Sequence, residues 1–290
     1  MSNSIGLCHP LCLPFVCREV ETRCGAFPKE SCKHYFLEML HLREGEMEVT
    51  LEKERYTVSQ GDVVIVCPGV RHQFAGAEDT VIRADLIQVD PDRLPGHLIY
   101  SPRLKMILQE AWKSRLPMVI SAQDAEALAL PEMCGLCVQE QQRRSFGYDL
   151  SMASRLSLIF LGLVRFWMER GLEIHTSAAP EEPINALSEY IQQHLQDNLR
   201  VEDLAAWCHL SYPWFARKFR EIYGVSCKDY IEQMRVAQVE QYLLFTDMDL
   251  AKISEKTGYA DCSHMIKNFK RLMDITPGQY RLKHRQKAAV

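Results

Sequence analysis

Nowhere in its 290 residues does the chain approach ~18 uninterrupted apolar residues, so no stretch reads as a membrane-spanning helix. The opening MSNSIGLCHPLCLPFVCRE is apolar in flavour but lacks a basic start. Pro10 and Pro14 interrupt it, so it does not read as a secretory signal. The eleven cysteines lack the spacing of a disulfide framework, and a chain this long does not need staples. They read as reduced thiols of the cytoplasm. A general excess of positive charge is also missing. The net charge of −4 argues against a protein that coats nucleic acid. Finally, no nucleophile or acid/base pair stands out beyond a few potential metal ligands, which argues against an enzyme.

What is present is an ordinary globular composition, 47% hydrophobic and 25% charged, in a chain long enough for two cores. The charge is uneven. From residue 184 onward 15 Lys and Arg stand against 13 Asp and Glu, a balance of +2, which leaves −6 for the remainder. That asymmetry suits a C-terminal reader of DNA.

Three patterns follow one another along the chain. Over residues 20–91 the period is near two. In EMEVTLEKERYTV, Met47, Val49 and Leu51 alternate with Glu46, Glu48, Thr50 and Glu52, as a strand with one buried face requires. Residues 52–55 read as a hairpin connection and residues 59–62 as a turn. VVIV, residues 63–66, reads as a strand apolar on both faces, and another strand is expected near residues 81–89. Short strands at this spacing predict a small antiparallel barrel or jelly roll. After Pro102 the period lengthens. Met152, Leu156, Ile159, Leu163 and Phe166 form a helical stripe that suits either the chain's own barrel or a dimer seam. EIHTSAAPEEP, residues 173–183, is a polar, Pro-bearing linker.

From residue 184 onward the chain reads as helical, and one arrangement occurs twice. In VEDLAAWCHLSYPWFARKFREIYG, a helix with Val201, Leu204, Ala205 and Cys208 inside meets a junction at residues 209–211. A second helix then buries Phe215 and Phe219 and presents Arg217, Lys218 and Arg220. In DLAKISEKTGYADCSHMIKNFKR the pattern returns, with Met265 and Phe269 as anchors. Arg217 matches Lys267, Phe219 matches Phe269 and Arg220 matches Lys270, each fifty residues apart. A helix over about residues 228–244 would hold the two units ~34 Å apart, so that both enter successive major grooves of one DNA face.

The pieces LSYPWFARKFREIYGVS, MRVAQVEQYLL, KISEKTGYADCSHMIKNFKR and ITPGQYR together resemble the DNA-binding domain of the AraC/XylS family of bacterial transcription regulators. Met265 departs from the usual aromatic, a change of packing rather than role. The resemblance implies that Pro213, Ala216, Arg217 and Arg220 face DNA from the first unit, and Cys262, Ser263, Ile266, Lys267 and Lys270 from the second. Arg217 is the candidate for bidentate bonding to guanine, and Lys267 for a base or phosphate. Arg220 and Lys270 would hold phosphates. Asp261 reads as an N-cap or, less simply, as a contact to RNA polymerase.

In the first part, Cys32-x-His34-x3-Glu38-x6-Gly45 and Gly61…Pro68-Gly69-x-x-His72 resemble the two cupin motifs. Cys stands at the first His position, and the Pro-Gly spacing is one residue short. In metal-bearing cupins these positions form a four-ligand site, so Cys32, His34, Glu38 and His72 are candidate ligands for Zn or Fe. Without metal, His34, Glu38 and His72 would line a pocket for a sugar or another polar effector. Cys8, His9, Cys12, Cys17 and Cys24 read as scattered thiols rather than a second site. Cys134-x-x-Cys137, with no matching pair, reads as core.

These readings predict a multidomain α+β protein with a cupin-like jelly-roll barrel, following helices and a C-terminal all-α domain with two helix-turn-helix units. The expected parts are an arm at 1–19, a barrel at 20–100, a helical dimerisation or packing segment at 101–172, a linker at 173–183 and a DNA-binding domain at 184–290. The expected role is a cytoplasmic, effector-responsive regulator, such as an activator. It needs no cofactor, forms a homodimer, and meets promoter DNA and RNA polymerase but no membrane. A metal- or thiol-responsive regulator using Cys32, His34, Glu38 and His72 is the alternative, ahead of a metal-dependent cupin enzyme.

Overall fold

The structure, a computed structural model, describes residues 15–23, 31–76, 81–91, 94, 104–174 and 183–288. It divides into two compact units, with the boundary between residues 177 and 178.

In the first unit, period-two patterning yields two antiparallel sheets. The larger has the order β1-β7-β2-β5-β8, where β1 is Phe15–Arg23, β2 Leu37–Glu44, β5 Val63–Val66, β7 Val81–Val89 and β8 Val119–Ile120. The smaller has the order β4-β3-β6, from Glu46–Leu51 (β3), Glu54–Ser59 (β4) and His72–Ala75 (β6). The expected alternation in β3 is present: Met47, Val49 and Leu51 are buried between Glu46, Glu48 and Thr50. All four residues of β5 are buried, as a strand covered on both faces should be. The β3–β4 hairpin is tighter than expected. Only residues 52 and 53 turn, with Glu52 at φ 53°, and residues 54 and 55 already pair in β4.

The first strand begins at Phe15, inside the stretch expected to be an arm. Phe15 and Cys17 are buried, and Phe15 through Arg23 pair with β7 from end to end. Val16, Val20 and Thr22 are β-formers, so residues 15–19 of the expected arm belong to a strand. Residues 1–14, the rest of that arm, lie outside the described residues.

The outer face of the large sheet is covered by α3 (Leu130–Arg143), on which α4 (Tyr148–Met168) packs. Two shorter helices, α1 (Leu104–Lys113) and α2 (Ala122–Ala127), precede them. Cys134 and Cys137 are fully buried on α3, with Cys137 hydrogen-bonded to Cys17, so the pair is core as expected. The stripe Met152, Leu156, Ile159, Leu163 and Phe166 is buried as well. The chain's own packing has consumed it. By length and composition α4 could cross a membrane, but half of its apolar window is buried inside the protein, as befits a core helix.

The second unit is helical: α5 (Leu187–Gln193), α6 (Val201–Trp207), α7 (Tyr212–Tyr223), α8 (Cys227–Phe245), α9 (Leu250–Lys256), α10 (Cys262–Met273) and α11 (Pro277–Ala288). Two hydrophobic cores share α8. Phe215, Phe219, Tyr223, Tyr230 and Met234 belong to one, and Val236, Val239, Leu243, Met265 and Phe269 to the other. Gly224 ends α7 in the left-handed conformation, and Asp249 and Asp261 cap α9 and α10 by accepting from Lys252 N and His264 N. Asp261 therefore has a structural job.

The second helix-turn-helix unit meets the connection between α5 and α6 at a tight place. Gly258 adopts φ +75°, and a Cβ there would lie 2.1 Å from the carbonyl oxygen of Leu195. Arg235 on α8 closes the same junction, donating to Leu195 O (3.2 Å) and Asp197 O (3.1 Å) with its guanidinium over the Tyr259 ring. Gly258→Ala should therefore destabilise the protein by at least about 2 kcal/mol, from backbone strain and overpacking. Urea denaturation followed by circular dichroism measures this, and an unchanged midpoint would refute the close approach.

Candidate functional site

Two places concentrate the candidate residues, one in each unit. The first lies between the two sheets. Residues directly opposite across antiparallel strands share a face, so Val16, Gln88, Glu38 and Val66 form one row on the large sheet. Two residues along, Arg18, Leu86, Leu40 and Val64 form the next row on that face. On the small sheet His72 stands opposite Leu51. The backbones of Cys32 and His72 exchange hydrogen bonds of 2.7 and 2.8 Å, and Gly69 N donates to His34 O (2.8 Å). The Pro68-Gly69 turn thus clips down the strand entry that carries His34. Gly69 has φ +83°, which is the reason for a glycine there.

The outcome is a cluster of His34, Glu38 and His72, all buried, with ligand atoms within 4.8 Å of one another. His34 Nε2 lies 2.9 Å from Glu38 Oε2, and its Nδ1 lies 3.0 Å from Phe36 O. Both ring nitrogens thus face acceptors. A proton, or a cation in its place, has to sit between the imidazole and the carboxylate. His72 Nδ1 faces Val70 O at 3.3 Å, which turns the Nε2 lone pair inward. Among the described residues, His72 Nε2 and Glu38 Oε1 are buried without a hydrogen-bond partner. Gln88 Nε2 donates to Glu38 Oε2 (3.3 Å).

The electrostatics prepare both groups. Burial alone would raise the pKa of Glu38, but the hydrogen bond and charge of His34, then His72 and Gln88, outweigh it and the carboxyl titrates below its ordinary value. Burial lowers the pKa of His72, against the opposing pull of Glu38. A carboxylate and a neutral imidazole are the forms that bind cations or accept hydrogen bonds. Arg18 faces the same carboxylate, its own pKa lowered by burial and partly restored by Glu38.

Cys32 does not complete the set. It is disulfide-bonded, so its sulfur is not a thiolate donor, and the cluster has three donors rather than the four expected. The expectation that all cysteines are reduced fails at this residue. Elsewhere burial pushes the thiols of Cys67 and Cys227 up to about 12 and that of Cys208 to about 11, which leaves them protonated and inert at neutral pH. Arg18 and Gln88 escaped the sequence reading because only strand register puts Gln88 opposite Glu38 and Arg18 in the next row of the same face.

The second place is on α7 and α10. Pro213, Arg217 and Arg220 are exposed and Ala216 is half-buried, on the side of α7 away from Phe215 and Phe219. On α10, Ser263, Lys267 and Lys270 are exposed, whereas Cys262 and Ile266 are half-buried and pack against the core that holds Met265 and Phe269. Seven of the nine candidates thus lie on the outer faces of two equivalent helices, and Cys262 and Ile266 sit at the edge of the second core. Beside Arg217 and Arg220 lies a 650 Å³ cavity bounded by Tyr212, Ala216 and, at the start of α8, Lys228.

Comparison with known proteins matches residues 204–283 to a helix-turn-helix domain and residues 25–87 to a cupin domain. The chain is similar to the regulatory protein PocR of Salmonella typhimurium, 30% identical over 92 residues, 32% of this chain and 30% of that protein. It is also similar to the bifunctional transcriptional activator/DNA repair enzyme AdaA of Bacillus subtilis, 32% identical over 100 residues, 34% of this chain and 47% of that protein. It thus spans less than half of either. The HTH-type transcriptional regulator YisR of Bacillus subtilis aligns over 84% of this chain and 85% of its own length, at 19% identity. Among solved structures, unsaturated fatty acid bound ToxT of Vibrio cholerae covers 92% of this chain and 95% of its own, at 14% identity and a TM-score of 0.42.

The chain is therefore a cupin domain followed by a two-unit helix-turn-helix domain. The latter is of the AraC type, the family that the motifs of the two units resemble.

A three-donor cluster makes a definite prediction. Protein dialysed free of metal under non-reducing conditions and then offered Zn²⁺ should take up about one equivalent if the cluster binds cations. His72→Ala should lose that uptake and Cys32→Ser should keep it, by elemental analysis of the desalted protein. Loss in the Cys32 variant alone would restore the sulfur as a ligand.

Proposed function

We propose that the chain is an effector-responsive, sequence-specific DNA-binding transcription regulator of the cytoplasm. The observation that carries this reading is the pair of equivalent helices, α7 and α10, with exposed basic residues, packed on the first and second halves of one helix, α8. Each would enter a major groove of promoter DNA, with Arg217 and Lys267 nearest the bases and Arg220 and Lys270 on phosphates. The relatives named as regulators support a role without catalysis.

The barrel supplies the response. A small polar molecule, such as a sugar or an organic acid, would meet Glu38 Oε1 and His72 Nε2, two buried atoms of the cluster without a hydrogen-bond partner among the described residues. It would act by binding two arrangements of the protein with different affinity. The same two atoms favour one second reading, a regulator that answers to a divalent metal such as Zn or Fe held by His34, Glu38 and His72.

In this reading dimerisation uses the exposed face of α4, opposite the stripe that suited either the chain's own barrel or a dimer seam. Leu150, Leu158, Leu161 and Met168 are exposed and fall within a sector of about 80° at 3.6 residues per turn, while the buried stripe occupies the other side. Such a stripe on a long helix suits a second copy of the chain and, with it, paired sites on DNA. Contact with RNA polymerase at the promoter completes the reading.

Two measurements test it. Arg217→Ala and Lys267→Ala should each weaken binding to a selected duplex by about 1–3 kcal/mol in a mobility-shift titration if they touch bases. Unchanged affinity and site preference in both would remove these helices as readers. Leu158→Asp with Leu161→Asp should convert a dimer to a monomer in sedimentation velocity without changing the far-UV spectrum. A persistent dimer would place the seam elsewhere.

A further inference from the structure

Trp214 lies one turn before Arg217 on α7 and is 46% exposed. The core of this unit does not need it, because Phe215, Phe219 and Tyr223 fill that side of the helix. Instead its ring carries the Arg217 guanidinium, whose central carbon stands 4.4 Å from the ring centroid. Residues three apart on a helix are neighbours, and a guanidinium over an indole face is an attractive pair.

The stacking has a directional consequence. A guanidinium is flat, and its N–H groups point outward in its own plane. Stacking uses the face and leaves that edge free. The fork that could grip guanine O6 and N7 is thereby held in one orientation before DNA arrives, and a long side chain loses less freedom on binding. The helix places the pair in its first turns, where recognition helices meet base edges.

The second unit lacks this arrangement. Fifty residues on, His264 and Lys267 occupy the matching positions. His264 Nε2 is hydrogen-bonded to Asn268 Nδ2 (3.0 Å), and the ring stands edge-on to Tyr259 at 5.4 Å. Lysine is a compact charge without a planar fork, so it attracts without the same demand on geometry.

Resting on the reading of the chain as a DNA-binding regulator, we propose that Trp214 is a positioning residue that orients Arg217 toward a guanine, so that the first unit discriminates sequence more sharply than the second. Trp214 itself need not touch DNA. Its effect is on which base pair is preferred rather than on whether the protein binds.

The test is selection of bound sequences by the full chain from a randomised duplex library, for the wild type, Trp214→Ala, Trp214→Phe and Arg217→Lys. The wild type should select a motif containing a G·C pair whose preference falls about tenfold in Arg217→Lys. The same position alone should flatten about fivefold in Trp214→Ala, recover in Trp214→Phe, and leave binding to a non-selected duplex within about twofold of wild type. Trp214→Ala retaining the G·C preference overturns the proposal. So does a parallel loss across every position and on the non-selected duplex, which is what a damaged fold produces. A Trp214→Phe variant as flat as the alanine variant overturns the stacking mechanism. A wild type that selects no sequence at all overturns the regulator reading itself, and this inference with it.

Discussion

Arg235 ties together segments of the helical unit that lie far apart in the chain. It sits near the middle of α8 and reaches back to two carbonyl oxygens of the connection between α5 and α6, Leu195 and Asp197. Its guanidinium also lies over Tyr259 of the second helix-turn-helix unit. The approach it closes is so tight that only a glycine fits at position 258. Leu195 is buried and Asp197 exposed, and one five-donor side chain reaches the carbonyls of both. A reader of two adjacent grooves requires two helices at a set separation and phase. Here that setting is a property of one helix and one guanidinium, not of a flexible connection.

The acids on α8 act alongside it. Glu232 and Glu240 are buried, two turns apart, facing the second unit. Asn268 of α10 donates to Glu232 (2.6 Å), and the Tyr280 hydroxyl of α11 donates to Glu240. A buried carboxylate without partners is costly, by several kcal/mol. α10 and α11 are therefore favoured in the register that brings Asn268 and Tyr280 to these acids. Hydrophobic packing of Met265 and Phe269 alone would tolerate small slides. Polar pairs of this kind restrict the recognition helix to one seating, and with it the basic face that the helix presents.

Much of this was legible in advance, and the reason is periodicity. The fifty-residue echo of Arg217, Phe219 and Arg220 in Lys267, Phe269 and Lys270 marked the core and the outer face of both recognition helices together. The alternation Met47, Val49, Leu51 placed β3, and the cupin-like spacing brought out His34, Glu38 and His72. What stayed hidden depends on partners far apart in the chain. Arg18 and Gln88 join the pocket through strand register, and Arg235 meets Leu195 forty residues away. The stripe on α4 was visible as a stripe, yet periodicity does not say what covers a face. α3 covers it, and the exposed face bears Leu158 instead. Cys32 looked like a ligand because a cupin carries His there, but its sulfur is committed to a disulfide.

That commitment changes the meaning of the barrel cluster. A set of four donors containing a thiolate would favour Zn strongly and would leave little coordination for anything else. Two imidazoles and one carboxylate bind a cation less tightly and leave positions open, or serve equally as acceptors for hydroxyl groups. The lowered pKa of His72 and that of Glu38 keep both as acceptors near neutrality, whichever guest arrives. His34 differs, since its two nitrogens already face Phe36 O and Glu38. A guest that takes Glu38 must compete with that hydrogen bond. Displacing it frees an imidazole beside the turn that carries Gly69 and His72, because Gly69 N is bonded to His34 O. The first local consequence of occupancy would thus fall on the Pro68-Gly69 turn, where the two cupin-like motifs meet.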